Sequence, residues 1–94
     1  MDHATIRERQ VILSVLKTTD YIGMNIRGGN EYGLGIYVSR LDRGGLAERN
    51  NVCVGDQIVA VNGTSFENVN HTSAVEFLRA HRTLKLTLKV CKQF

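Results

Sequence analysis

The chain has 94 residues, 43% of them hydrophobic and 22% charged, with a formal net charge of +3. That is enough for one small domain with one core, and it excludes both a two-domain chain and a disordered one. The basic residues are scattered and form no dense run or aromatic-rich strand, which argues against nucleic-acid recognition, and no apolar run reaches the ~18 residues of a spanning helix.

Residues 1–9 are polar and weakly patterned, and are read as an N-terminal extension, a frayed end or a short helix. The domain itself is expected over residues 10–91, with 92–94 as a tail. Val11, Ile12, Leu13, Val15 and Leu16 make an apolar, β-branched run of strand length. Lys17 to Asp20 is a polar loop. Tyr21 to Arg27 is expected to form a second strand with Ile22, Met24 and Ile26 on one face at period two. Gly28-Gly29-Asn30 ends it.

Gly35 to Leu41 reads as a third strand, and Asp42 to Gly45 as a turn. Leu46 to Arg49 has room for about one helical turn. Gln57 to Val61 is a fourth strand, and Asn62-Gly63 is a two-residue hairpin signal that returns the chain into Thr64-Ser65-Phe66. Asn70 is the N-cap candidate of the one longer helix, His71 to Ala80. In that helix His71, Val75 and Leu78 share a face, with Ala74 and Phe77 beside it. Thr83 to Val90 alternates as a half-buried strand, with Leu84, Leu86, Leu88 and Val90 facing inward. The expected fold is therefore α+β and strand-rich, with five to six strands, one short helix and one long one.

The two cysteines, Cys53 and Cys91, lie far apart and make no CxxC pair or zinc-spaced cluster. The histidines, His3, His71 and His81, have no ligand companions at metal spacing. Gly33-Leu34-Gly35 lacks the third glycine and following helix of a nucleotide loop. No serine or cysteine sits in a nucleophile elbow, and no paired carboxylates suggest acid–base work. The expectation is a non-catalytic protein without metal or cofactor, working in the reducing cytoplasm.

The order of the pieces carries more than any one of them. Lys17 precedes Tyr21-Ile22-Gly23-Met24. A Gly-Gly loop follows, then Gly35-Ile36-Tyr37-Val38-Ser39, Leu46-Ala47-Glu48, Val54-Gly55-Asp56-Gln57-Ile58, Val61-Asn62-Gly63 and a helix opening on His71. This succession, from Val11 to Val90, resembles the PDZ domain. The resemblance implies a partly open antiparallel β-barrel or sandwich that binds the free C-terminus of a partner protein by strand addition. The peptide would lie between the second strand and the long helix.

The resemblance also implies roles for single residues. Tyr21, Ile22, Gly23, Met24 and Lys17 would form the carboxylate-binding loop, in which the amides of Ile22, Gly23 and Met24 converge on the anion. Ile22, Met24, Ile26, Val75 and Leu78 would wall an apolar pocket for the last ligand side chain. His71 would accept a hydrogen bond from a Ser or Thr hydroxyl two residues earlier, giving the class Ser/Thr-any-hydrophobic-COOH. Asn25 and Ser39 match positions that touch residues further upstream. A bulkier residue at Gly23 is expected to damage binding more than stability.

Two residues depart from the family's usual Gly-hydrophobic-Gly-Phe loop: Tyr21 replaces the first glycine and Met24 the phenylalanine, and the flexible thioether makes the pocket more adaptable. Asn25 to Gly29 with Glu31 to Ser39 looks like the PDZ domains of the harmonin and whirlin type, which are scaffolds of sensory-cell and actin-bundle assemblies. That likeness places the chain at membrane-associated or cytoskeletal complexes. Two alternatives stand beside peptide capture. Arg40, Arg43, Arg79, Arg82 and Lys85 could converge on a basic face for anionic lipid headgroups at a membrane surface. Domain pairing is the other, although the isolated domain is expected to be monomeric.

Overall fold

The computed structural model describes residues 4–93. Six strands and two helices alternate as β1 (Ala4–Ser14), β2 (Met24–Gly28), β3 (Ile36–Leu41), α1 (Leu46–Arg49), β4 (Gln57–Val61), β5 (Thr64–Ser65), α2 (His71–Arg79) and β6 (Thr83–Gln93), with a 3-10 turn at Asn30–Tyr32. The pairings are antiparallel and run in the order β1-β6-β4-β3-β2, with β5 beside β4. This is the strand-rich α+β architecture expected from the sequence.

The core follows the alternation. Val11 and Leu13 of β1, Ile36 and Val38 of β3, Ile58 and Val61 of β4, and Leu84, Leu86 and Leu88 of β6 are buried, together with Leu46, Ala47, Phe66 and Ala74 from the segments that close over the sheet. Period two puts the β1, β3 and β6 side chains on one face of the pleat, and in β4 an irregularity between Ile58 and Ala60 shifts the phase so that both Ile58 and Val61 are buried. Asn62 (φ +52°) and Gly63 (φ +80°) form the expected tight turn. The Asn62 side chain accepts from the Lys85 amide at 2.7 Å and donates to the Thr83 carbonyl at 3.1 Å, which ties the hairpin to β6. Asn70 caps α2 as expected, accepting from the Ser73 amide at 2.8 Å.

Several boundaries differ from expectation. Residues Ala4 to Gln10 are strand rather than frayed end or helix, paired with β6 from Ala4↔Gln93 onward, and the strand extends equally into the expected tail. The amphipathic signal is missing there because β4 reaches β6 only between Val61↔Leu86 and Gln57↔Lys89, leaving the Ala4 end of the ribbon with no third strand beside it among the described residues. The first strand also stops at Ser14 rather than Leu16, where the chain turns toward the Asp20 carboxylate. The second strand begins at Met24, not Tyr21, because the carbonyls of Tyr21 and Ile22 bond elsewhere, to the start of α1.

Asp56 is the one buried charged residue among those described, at 3% exposure. Its carboxylate accepts from the Cys53 amide at 2.9 Å and pairs with Arg9 at 3.6 Å. Arg9 also donates to the Asn51 carbonyl. The acid thus closes the turn before β4 and ties it to β1. Removing the carboxylate strands the amide and leaves the guanidinium without its counter-charge. Asp56→Ala is expected to lower the unfolding free energy by about 2–3 kcal/mol, read as the shift of the urea midpoint at constant slope. A change below about 0.5 kcal/mol would show that the turn is held by its backbone alone.

Candidate functional site

Among the described residues one edge of β2 is unpaired, and α2 lies alongside it. Between them runs an open groove of about 1090 Å³ whose walls include Ile22, Met24, Asn25, Ile26, His71, Val75 and Leu78. On β2, Met24 and Ile26 are half-buried while Asn25 and Arg27 are exposed. On α2, Ala74 is fully buried against the core, so the helical period turns Val75 and Leu78 along the groove. All five residues expected to wall the apolar pocket therefore share one surface.

The closed end of the groove is built from backbone. The Leu46 amide donates to the Tyr21 carbonyl at 2.9 Å, the Ala47 amide to the Ile22 carbonyl at 3.0 Å, and the Asp42 amide to the Gly23 carbonyl at 2.9 Å. Each carbonyl belongs to the same planar trans peptide as the next residue's amide, which points the opposite way. Fixing the three carbonyls toward α1 and β3 therefore aims the amides of Ile22, Gly23 and Met24 away from them, at the groove. The Ile22 and Gly23 amides donate to no acceptor among the described residues.

This turn requires glycine. Gly23 has φ +69°, and a Cβ there would lie 3.0 Å from the Cα of Gly45 and 3.3 Å from the Cβ of Asp42. Gly45 is constrained by the same approach, since its own Cβ would meet the Gly23 Cα at 2.9 Å. A larger residue at Gly23 therefore strains the fold as well as the site, which widens the role expected for it.

Asp20 holds the loop from the other side. Its carboxylate accepts from the amides of Lys17 at 3.0 Å and Leu16 at 3.1 Å and pairs with Arg49 of α1 at 3.5 Å. The Lys17 and Leu16 amides, and more weakly Arg49, hold its carboxyl below the usual carboxylate range. Lys17 is exposed, and it lines the same end of the groove as Arg79 and Arg82. Among the described residues these three cations enter no ion pair.

At the open end, the Nδ1 of His71 lies 2.9 Å from the Gly28 carbonyl. A carbonyl only accepts, so Nδ1 carries the proton, and in the neutral ring Nε2 is left with its lone pair. The His71 amide is capped by the Glu31 carboxylate at 3.0 Å, which fixes the start of α2 against the loop after β2.

Two expected site residues stand apart. The Tyr21 hydroxyl donates to the Arg43 carbonyl at 2.8 Å, so its side chain turns toward the loop before α1 and only its backbone shapes the site. Ser39 sits in β3 at the bulge opposite Asn25 and Ile26 and does not line the groove. Three contributors were not singled out from sequence: Asp20, Gly45 and Glu31. An acid that closes a Lys-Thr-Thr-Asp loop on its preceding amides is a recognisable turn signal. The other two depend on contacts 22 and 40 residues away along the chain.

Comparison with known proteins agrees with this geometry. The family profile described as PDZ domain matches residues 10–91. The chain is 48% identical over 82 residues to human PDZ domain-containing protein 7, covering 86% of this chain and 8% of that protein. It is 53% identical over 68 residues to mouse whirlin, covering 72% of this chain and 7% of that protein. It thus spans under a tenth of the length of these relatives. Among solved structures, Dlg1 PDZ2 of the choanoflagellate Monosiga brevicollis superposes with a TM-score of 0.79 at 27% identity, covering 87% of this chain and 97% of that one. The unpaired β2 edge, the helix beside it and the glycine-dependent loop at its end are those of a protein-interaction module, and the chain belongs to the PDZ domain family.

Proposed function

We propose that this domain binds the free C-terminus of a partner protein of the type Ser/Thr-any-hydrophobic-COOH, as an added strand between β2 and α2. The observation that carries this reading is the convergence of the Ile22, Gly23 and Met24 amides on the closed end of an apolar groove. Oriented amides hold a carboxylate as they hold other anions, and the unpaired cations Lys17, Arg79 and Arg82 add attraction at that end. The last side chain enters the pocket of Ile22, Met24, Ile26, Val75 and Leu78, where burial supplies ~1.5–3 kcal/mol. Beyond it the ligand backbone pairs with the free β2 edge.

His71 selects the residue two positions earlier. With Nδ1 bound to the Gly28 carbonyl, Nε2 is an acceptor facing a hydroxyl donor. Asn25 lines the groove and contacts the ligand on its exposed side, whereas Ser39 acts only through the β3 bulge. Two cations of the alternative lipid face, Arg79 and Arg82, line the peptide groove, and a third, Arg40, pairs with Asp42 at 3.6 Å. This distribution favours a peptide carboxylate over a headgroup layer. The module would serve a longer cytoplasmic scaffold, and the exposed free thiol of Cys53 suits a reducing compartment.

Fluorescence anisotropy with a labelled Glu-Thr-Ser-Leu peptide tests the mechanism. The free acid is expected to bind at least about tenfold more tightly than the amide, because charge-assisted hydrogen bonds are worth roughly 1.5–3 kcal/mol. Equal binding of the two would exclude carboxylate capture. Replacing Thr by Ala should weaken the parent by about fivefold, one hydrogen bond's worth, and should change nothing in His71→Ala. A Thr preference that survives in the variant would remove His71 from the assignment.

Asp20 gives a pH dependence. Its folded pKa lies below that of an ordinary aspartate, so its contribution to stability is complete above the ordinary value and is lost as the pH falls through the lower folded one. On acidification from about pH 5 to pH 3, Asp20→Asn is expected to lose less stability than the parent. Identical acid slopes in urea titrations would mean that the carboxylate does not tie the loop.

A further inference from the structure

The chain holds one Asn-Gly dipeptide, Asn62-Gly63, and it forms the tight turn between β4 and β5. The pair carries chemistry as well as conformation. Asparagine is a thermolabile residue, because the backbone nitrogen that follows it can attack the side-chain carbonyl carbon, Cγ, and close a small ring. A side chain on the following residue crowds that approach, and glycine has none. Gly63 also stands in the open, since a Cβ built on it would meet nothing within 4 Å. At each of the other asparagines the next residue carries a side chain.

The fold withholds this reaction. The Asn62 amide donates to the Lys85 carbonyl at 2.9 Å. The side chain then extends the ladder past the end of β4: Oδ1 accepts from the Lys85 amide at 2.7 Å, and Nδ2 donates to the Thr83 carbonyl at 3.1 Å. Both polar atoms of the carboxamide are aimed at β6, with Cγ fixed between them. Cγ can turn toward the Gly63 nitrogen only when both bonds break. Asn62 and Gly63 are exposed, so water already reaches the turn, and what it lacks is freedom of the side chain.

The segment that Asn62 grips is held from its other side by β1. The Val15 amide donates to the Arg82 carbonyl at 2.8 Å, and the Ser14 and Thr83 hydroxyls lie 3.3 Å apart. The clasp therefore opens when the start of β6 leaves the sheet, and it stays shut while that edge is intact. Such openings are fast and reversible in a native protein, whereas attack at Cγ is slow, so the reaction samples only the open fraction.

We propose that Asn62 is a self-modification site kept shut by its clasp on β6: the folded turn is inert, and opening of the clasp commits it to deamidation by water. In the opened chain the Gly63 nitrogen attacks Cγ of Asn62 and gives up its proton as the N–Cγ bond forms. The Cγ–Nδ2 bond breaks, and ammonia leaves with that proton. Water then opens the cyclic imide at either carbonyl. Attack at Cγ restores the ordinary backbone with an aspartate side chain, and attack at the backbone carbonyl leaves Gly63 joined through Cγ, as isoaspartate. Neither product rebuilds the clasp. Aspartate sets a carboxylate oxygen against the Thr83 carbonyl where a donor stood, and isoaspartate adds a carbon to the backbone of a two-residue turn. A transient opening thereby becomes a permanent one.

The test incubates the protein in mildly alkaline buffer, with and without guanidinium chloride above the unfolding transition. Peptide mass spectrometry reads the amide-to-acid conversion, with fragmentation assigning the residue. Conversion at Asn62 is expected to be at least about tenfold slower in the folded protein than in the unfolded one. Equal rates would overturn the clasp. In denaturant, Gly63→Val is expected to slow conversion, and an unchanged rate would remove the Gly63 nitrogen as the nucleophile. Asn62→Asp, which stands for the first product, is expected to lower the urea midpoint by about 0.5 M. A midpoint equal to the parent's would overturn the claim that modification holds the turn open.

Discussion

The closed end of the groove depends on three backbone hydrogen bonds. They run from the amides of Leu46, Ala47 and Asp42 to the carbonyls of Tyr21, Ile22 and Gly23. The rigidity of the trans peptide converts them into an outward orientation of the next three amides. In the proposed carboxylate capture, no side chain in the loop would need to carry charge for the site to attract an anion. This is why Tyr21 can stand where the family favours glycine: its carbonyl does the positioning, and its ring and hydroxyl serve the neighbouring loop through Arg43. The constraint falls instead on Gly23 and Gly45, whose backbones must touch for α1 to come close enough.

An unpaired strand edge is a hazard in most folds, because any extended segment can add to it. Here the edge is short, five residues in β2, and it is narrowed at both ends. The loop of Tyr21 to Gly23 closes one end. At the other, His71 occupies the Gly28 carbonyl and the Glu31-braced loop rises beside it. α2 stands along the whole length. In the strand addition we propose, a chain would add to this edge with its terminus at the closed end, which would make the edge selective as well as accessible.

Local signals were legible in the sequence and distant ones were not. β4, the Asn62-Gly63 turn and the Asn70-capped helix follow from chemistry within a few residues, and each stands where it was expected. The apolar wall was legible for the same reason. Met24 and Ile26 repeat at the period of a strand and Val75 and Leu78 at that of a helix, and only the family order said that the two stripes face each other. The extra length of β1 and β6 was hidden because pairing with a single strand imposes no apolar alternation on the sequence. Asp20 read as an ordinary polar loop residue. Its pairing with Arg49, like the capping of α2 by Glu31 and the contact of Gly45 with Gly23, exists only once separate segments have come together.

Those same long-range contacts set the groove before it is filled. β2 is clamped by backbone at both ends: Gly23 lies against Gly45, and Gly28 lies against Gly35 so closely that neither end has room for a Cβ. At Gly29 a Cβ would lie 2.7 Å from the His71 amide nitrogen, so the loop that follows β2 meets the first residue of α2 directly. Close backbone contacts of this kind have no side-chain rotamers to relax, and so they leave the spacing between β2 and α2 little freedom. A groove of fixed width loses little entropy when a peptide enters, and most of the ordering cost falls on the ligand. Under the proposed peptide capture, discrimination among ligands would then rest with the few side chains that remain adjustable, above all Met24, whose flexible thioether would fit last residues of different shape within an otherwise rigid frame.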